Sequence, residues 1–462
     1  MRRVRVFLRV LLSSGWMPFV ACGDDSGIDA ATGDASVQDG ARPIASDAAR
    51  PADAAHAASH DAALTTDARA DAAIDAGPPP LPARCNGSVR SAAPPSAALP
   101  ALPPISVPAG FKIEAVGHVY TSRHIVQLPN GDLLAGTNTG EVRLIPHADE
   151  AVPGDSVLFV DKADDLPVHG VAYAPYLCTI FIATQHFVYA VPYVDGQMSA
   201  VLTDPIARVR DPNVGEHVTT TVAFDGVTLF ASVGSSCNDC VETDPLRATI
   251  QRMYPDGGNQ TTRATRMRNA IALALNPATG TLWAGGAGQD FLPPGHPYEY
   301  FDSVGLHPGI PDYGWPDCEE NRVAYVADAD CSKSVVPRVE LPAYSTIIGA
   351  AFYPPVMSGA HAFPGAYRGG LFLTAHGGAH TNADGGFTSP PRVVFVPMNG
   401  DTPLAPVNWN DPTTQFTDFV TGCQLPDGVT RVARPTGITV GRDGSLFLAD
   451  DLNSTVLRIR PL

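Results

Sequence analysis

The chain has 462 residues, with 30 Lys and Arg against 47 Asp and Glu, a formal net charge of −17. Positive charge is scarce and only three residues are lysine (Lys112, Lys162 and Lys333), which argues against a protein that clamps nucleic acid through clustered cations. No run of about 18 apolar residues occurs beyond the N-terminus, which excludes a multi-span helical membrane protein.

Residues 1–22 begin with a basic Met1 to Arg5 and continue through a mostly apolar stretch to Phe19-Val20-Ala21-Cys22. That layout predicts a signal peptide with a lipoprotein-type cleavage site, hence export and a lipid on Cys22, with contact to a membrane only through that anchor. Plain secretion is the alternative. Residues 23–105 read as a tether. Asp-Ala-Ala recurs at 47–49, 53–55, 61–63 and 71–73, and residues 23–83 hold eleven aspartates, three arginines and no aromatic. Such a composition cannot offset the entropy of ordering. Pro78-Pro79-Pro80 and the Pro-rich stretch 94–104 stiffen the approach to the folded part.

From residue 106 to 462 the pattern becomes short β-branched strands with turn signals. Four segments read as strand, tight turn and strand: His124 to Gly136, Thr219 to Ser232, Ala270 to Gly285 and Thr436 to Ala449. Weaker copies fit at Gly170 to Thr184 and Ile348 to Ala375. The repeats start near 123, 169, 217, 268, 347 and 434, and the first three intervals are 46, 48 and 51 residues. That period, with several strands in each unit, predicts an all-β fold, a six-bladed β-propeller.

In a propeller the innermost strands all begin around one end of the central channel. The residues at that position are Arg123-His124, His169, Glu216-His217, Arg268-Asn269, Ile347-Ile348 and Arg434-Pro435. A ring of arginines and histidines suits an anionic or carbonyl-rich ligand, with a histidine available as general base.

Among the cysteines, Cys237-x-x-Cys240 is followed by Val241, which argues against haem attachment, and no second pair supports zinc. In an exported chain it reads as a loop disulfide. Cys318 and Cys331 enclose a short loop and form a second expected pair, while the connectivity of Cys85, Cys178 and Cys423 stays open. Tyr313-Gly314-Trp315-Pro316 reads as a packed turn with an aromatic plug, or else as a sugar-stacking platform.

Several pieces, in this order and spacing, carry a resemblance. They are Val233-Gly-Ser-Ser-Cys-Asn-Asp-Cys240, Arg247-Ala-Thr-Ile250 leading to Pro255-Asp-Gly257, Arg268-Asn269, and Asp312-Tyr-Gly-Trp-Pro316. Looser likeness extends over about 106–462, including Leu341 to Ser345 and Leu373 to Gly377. The chain resembles the pyrroloquinoline-quinone-dependent soluble glucose dehydrogenases, and more closely the L-sorbosone dehydrogenase-like sugar dehydrogenases.

The resemblance implies a sugar-like substrate that gives hydride to pyrroloquinoline quinone, with electrons passing on to an external acceptor that the sequence does not name. His217 matches the family's general base, and His169, one blade earlier, is the competing choice and otherwise a substrate contact. Arg268 and Asn269 match the pair that holds the quinone and polarises its carbonyl, so Arg268 is also a catalytic candidate. Arg434 matches an arginine on a cofactor carboxylate, and Thr436 stands where the family has a second cofactor-binding arginine. The family's Ca²⁺ is held by two successive backbone carbonyls, which correspond to Gly288 and Gln289. The aspartate that orients the base in the glucose enzymes is Ser235 here, and their cofactor-binding lysine is Gly377. Loss of two positive charges weakens cofactor retention unless Arg123 or His376 substitutes. The competing functions are a non-enzymatic ligand-binding propeller and a hydrolase of the calcium lactonase type, whose channels collect acidic and Asn ligands rather than Arg and His.

Overall fold

The computed structural model describes residues 80–462, except 93, 95–97, 212–214, 293–294 and 384. The expected leader, the lipidation site Cys22 and most of the expected tether lie outside the described residues. Among those described, no helix is long and apolar enough to cross a membrane.

Six four-stranded antiparallel sheets follow one another around the ring as blades. Their inner strands are Ser122–Gln127, Gly170–Ala174, Val222–Phe224, Asn269–Leu275, Ile347–Phe352 and Pro435–Val440, within a few residues of the repeat starts expected from sequence. The sixth blade takes its outer strand from the other end of the chain. Phe111–His118 pairs with Thr455–Pro461, from Phe111 opposite Pro461 to His118 opposite Thr455. This pairing joins the two ends of the folded chain in one blade and so closes the ring.

Alternating strands put one apolar face of each blade against the next, so the core divides into six clusters, one per blade junction. The junction of the fifth and sixth blades is aromatic: Tyr353, Phe363, Phe372 and Phe419 are buried, with Phe111 edge-on to Phe363 at 4.7 Å. Near the channel the backbones themselves touch. A Cβ on Gly437 would lie 2.1 Å from the Arg123 carbonyl, and one on Gly349 would lie 2.3 Å from that of Thr436. Glycine is required where neighbouring inner strands approach this closely.

The folded unit starts earlier than the boundary at residue 105 expected from composition. Cys85, in a short 3₁₀ turn, is fully buried and disulfide-bonded to Cys178. The amides of Gly87 and Ser88 donate to Asp195 Oδ2 at 2.7 and 3.0 Å, and Arg90 pairs with Asp149 at 2.9 Å. Composition missed this because the anchor consists of one cysteine and a few polar contacts, with no apolar run. The expected pairs Cys237–Cys240 and Cys318–Cys331 are both present, and among the described residues Cys423 is the free, buried thiol.

Antiparallel pairing brings two chain positions per blade to the same end of the channel: the start of the inner strand and the end of the second strand. Asn269 faces Ala287, Ile347 faces Ala375, and Pro435 faces Asp450. The loops just past the second strands, at 234–238, 288–291, 376–380 and 451, therefore surround the residues expected from the inner strands.

Candidate active site

His217 lies five residues before its inner strand, in backbone with φ of 40°. Two arginines hold that conformation. Arg210, fully buried, donates from Nη1 to the His217 carbonyl at 2.7 Å and from Nη2 to the Thr219 carbonyl at 2.9 Å. Arg247 donates from Nη1 to the carbonyls of Glu216, Gly234 and Ser235, each at 3.2 Å.

The imidazole has a defined tautomer. Ser235 Oγ donates its proton to the Cys237 carbonyl at 2.7 Å, so it can only accept from His217 Nδ1, 2.8 Å away. The Ser235 carbonyl, 3.2 Å from the same nitrogen, is also an acceptor. Nδ1 therefore carries the hydrogen and Nε2 keeps its lone pair. Burial, then the positive charge of Arg268, hold the imidazole well below the ordinary histidine range, so it is neutral near neutral pH with its Nε2 lone pair available.

Asn269 belongs to the same corner. A Cβ on Gly234 would lie 2.6 Å from His217 Cβ and 2.7 Å from Asn269 Oδ1. Glycine at 234 lets the two side chains flank one point. The Asn269 amide makes no hydrogen bond to a described residue. Arg268 is 4% exposed and is held by Asn238 and by Asp290, whose Oδ2 lies 2.8 Å from Nη2. Asp290 also takes His380 Nε2 at 2.8 Å, and the His380 ring stacks on Tyr344 with centroids 4.0 Å apart.

Gly288 and Gln289 are buried immediately before Asp290. The Gln289 side chain is used, donating to Glu319 Oε1 and the Pro316 carbonyl at 2.7 Å each. Neither backbone carbonyl of this pair accepts a hydrogen bond from a described residue. Two adjacent, unpartnered carbonyl oxygens match the donor chemistry of a hard cation such as Ca²⁺.

Across the channel end, Arg434, His376, Asp451 and Arg123 form a second group. Arg434 Nη2 donates to His376 Nδ1 at 2.8 Å, His376 Nε2 lies 3.0 Å from Asp451, and Arg123 Nη1 is 3.1 Å from Asp451. Burial pushes His376 down to about 4, so it supplies no positive charge at neutral pH. Asp451 offsets one of the two arginines. The expected ring of cations is thus partly neutralised by Asp290 and Asp451, which the sequence reading did not single out.

Two expected residues stand apart. Thr436 is fully buried, and its hydroxyl donates to the Ser122 carbonyl at 2.9 Å. This ties the sixth blade to the first, and corrects the cofactor contact expected there. His169 is 1% exposed; its Nδ1 lies 3.1 Å from Thr221 Oγ1, which itself donates to the Ile271 carbonyl at 2.6 Å. Its Nε2 is buried without a partner among the described residues, and the cation beside it is Arg123 rather than Arg268. Tyr313 and Trp315 are buried, with Tyr313 stacked on Tyr300 at 5.2 Å and Trp315 Nε1 donating to the Asn238 carbonyl at 3.0 Å. The packed turn is what forms.

Neither a protein-family model nor a curated protein matches the sequence. Solved structures do match in fold. The holo pyranose dehydrogenase PQQ domain from Coprinopsis cinerea is 18% identical with a TM-score of 0.64, over 80% of this chain and all (100%) of that one. A Trichoderma reesei carbohydrate-active enzyme of family AA12 is 20% identical with a TM-score of 0.61, over 78% of this chain and 98% of that one. The apo soluble aldose sugar dehydrogenase from Escherichia coli is 18% identical with a TM-score of 0.53, over 76% and 100% of the two chains. The chain therefore shares its six-bladed propeller fold with these three structures.

Proposed function

We propose that the protein is an oxidoreductase that oxidises a sugar or related polyol by hydride transfer to pyrroloquinoline quinone. The observation that carries this reading is the corner where His217, with a bare Nε2, meets the free amide of Asn269 beside a tethered Arg268. The fold shared with an aldose sugar dehydrogenase and a PQQ domain supports it.

His217 Nε2 takes the proton of the substrate hydroxyl, and Ser235 keeps the ring in the tautomer that permits it. Arg268 and Asn269 hold and polarise the cofactor's carbonyl region, stabilising negative charge as it develops. Arg434 offers a donor to a cofactor carboxylate. Gly288 and Gln289 would hold Ca²⁺ through their carbonyls. When bound, the quinone would supply the two-electron acceptor, with an external acceptor needed to reoxidise it. The basic leader ending at Cys22, with the three disulfides, supports a protein exported and tethered by lipid.

Titration calorimetry tests the cofactor. Pyrroloquinoline quinone should bind with one site per chain when Ca²⁺ is present, and weaken on chelation. No binding with excess Ca²⁺ would instead favour a non-enzymatic propeller, a reading to which Gly377 in place of a lysine and the neutral His376 give some support.

A further inference from the structure

The Cys237–Cys240 loop does more than close on itself. Asn238, inside it, engages three separate parts of the site. Its carbonyl oxygen and Oδ1 take the Nε and Nη2 edge of Arg268 at 3.1 and 2.9 Å. Oδ1 also accepts from the Asp290 amide at 2.9 Å, while Nδ2 donates to the Asp290 carbonyl at 3.2 Å. The same carbonyl oxygen accepts the Trp315 indole at 3.0 Å. With Nε and Nη2 occupied, Nη1 is the guanidinium nitrogen left for a ligand. The disulfide closes the loop over this residue, and the neighbouring Cys237 carbonyl is the acceptor that sets Ser235 and so His217. The fork of an arginine is directional, and a long side chain held on one edge only by Asp290 would keep rotamer freedom.

We propose that Asn238 is a positioning residue that sets the Arg268 guanidinium beside His217 and leaves Nη1 as its free edge. The consequence for turnover rests on the dehydrogenase reading above; the consequence for the charge around His217 does not. The charged groups facing His217 are the cations Arg268, Arg247 and Arg210, and Arg268 is paired with Asp290 at 2.8 Å. A carboxylate at position 238 would add a second negative charge against Arg268.

The experiment uses Asn238→Ala and Asn238→Asp in the full chain, with thermal unfolding measured for each. In the protein without cofactor, NMR titration of the His217 imidazole should show Asn238→Asp protonating at a higher pH than wild type. In protein loaded with pyrroloquinoline quinone and Ca²⁺, Asn238→Ala should lower kcat by about 10–100-fold with KM for the sugar within about threefold, at little change in melting temperature. The acid limb of the Asn238→Asp rate profile should move up with the imidazole titration. An unchanged His217 titration in Asn238→Asp overturns the proposal, whether or not the wild type turns over a sugar. So does an Asn238→Ala enzyme with wild-type kcat. Absence of wild-type turnover with a shifted His217 titration would instead count against the dehydrogenase reading alone.

Discussion

Ser235 Oγ stands 2.8 Å from His217 Nδ1 and gives its own proton to the Cys237 carbonyl, so the histidine can be only the donor of that pair. A serine thus orients the ring through a neutral hydrogen bond where a carboxylate would also raise its basicity. The imidazole is therefore tuned downward, by burial and then by Arg268.

The sign of the resulting pH dependence is definite. The base works when neutral, and its folded-state pKa is depressed below the ordinary histidine value of about 6.5. Activity should persist as pH falls through 6.5 and fail only at lower pH, read as the acid limb of kcat/KM. Ser235→Asp should move that limb upward. A limb at or above 6.5 in the wild type would contradict the assigned surroundings of His217.

Arg268→Ala should weaken quinone binding by about 10–100-fold, the effect expected for losing charged hydrogen bonds of about 1.5–3 kcal/mol. Thr436→Val should leave quinone affinity unchanged and lower stability slightly, because that hydroxyl serves only the strap to Ser122. Calorimetry on the two variants separates the roles.

The Cys85–Cys178 disulfide closes a separation of 93 residues. Replacing both cysteines by serine should lower unfolding free energy by about 2–5 kcal/mol. Deleting residues 23–79 should leave the melting temperature essentially unchanged, whereas deletion through 91 should lower it. Denaturant and thermal unfolding of the three variants check this.

Cys423 is fully buried, and burial, with Asp450 nearby, pushes its thiol up to about 12. It should resist alkylation at pH 8 in the native protein and react once the chain is unfolded. Peptide mass spectrometry after iodoacetamide treatment reads the site directly. Rapid native labelling at Cys423 would contradict its buried position.

Much of this is legible in the sequence. The hairpin repeats gave the blades because each inner strand pairs with its own neighbour across a short turn, a local relationship. Arg268 and His217 could be placed at one end of the channel because they sit at equivalent points of successive repeats. Asp290, Asp451 and His380 were not, because they follow second strands in loops without a periodic marker, and only closure of the ring brings them to the arginines. The Cys85 anchor escaped for a similar reason: its partner lies on the second blade, and a single cysteine near a Pro-rich stretch gives no pattern. Asn238 was visible only as the interior of a Cys-x-x-Cys loop. Its role depends on three contacts from 268, 290 and 315 that are distant in sequence.

The most direct test of the central proposal is dye-linked turnover over a panel of sugars, using protein reconstituted with pyrroloquinoline quinone and Ca²⁺. Wild type should reduce the dye with at least one sugar, and His169→Ala should retain that turnover number. His217→Ala should lose it by about 10²–10⁴-fold while binding quinone almost as well as wild type. A quinone-loaded wild type that oxidises no sugar, or a His217→Ala enzyme with undiminished turnover, would contradict the proposed chemistry.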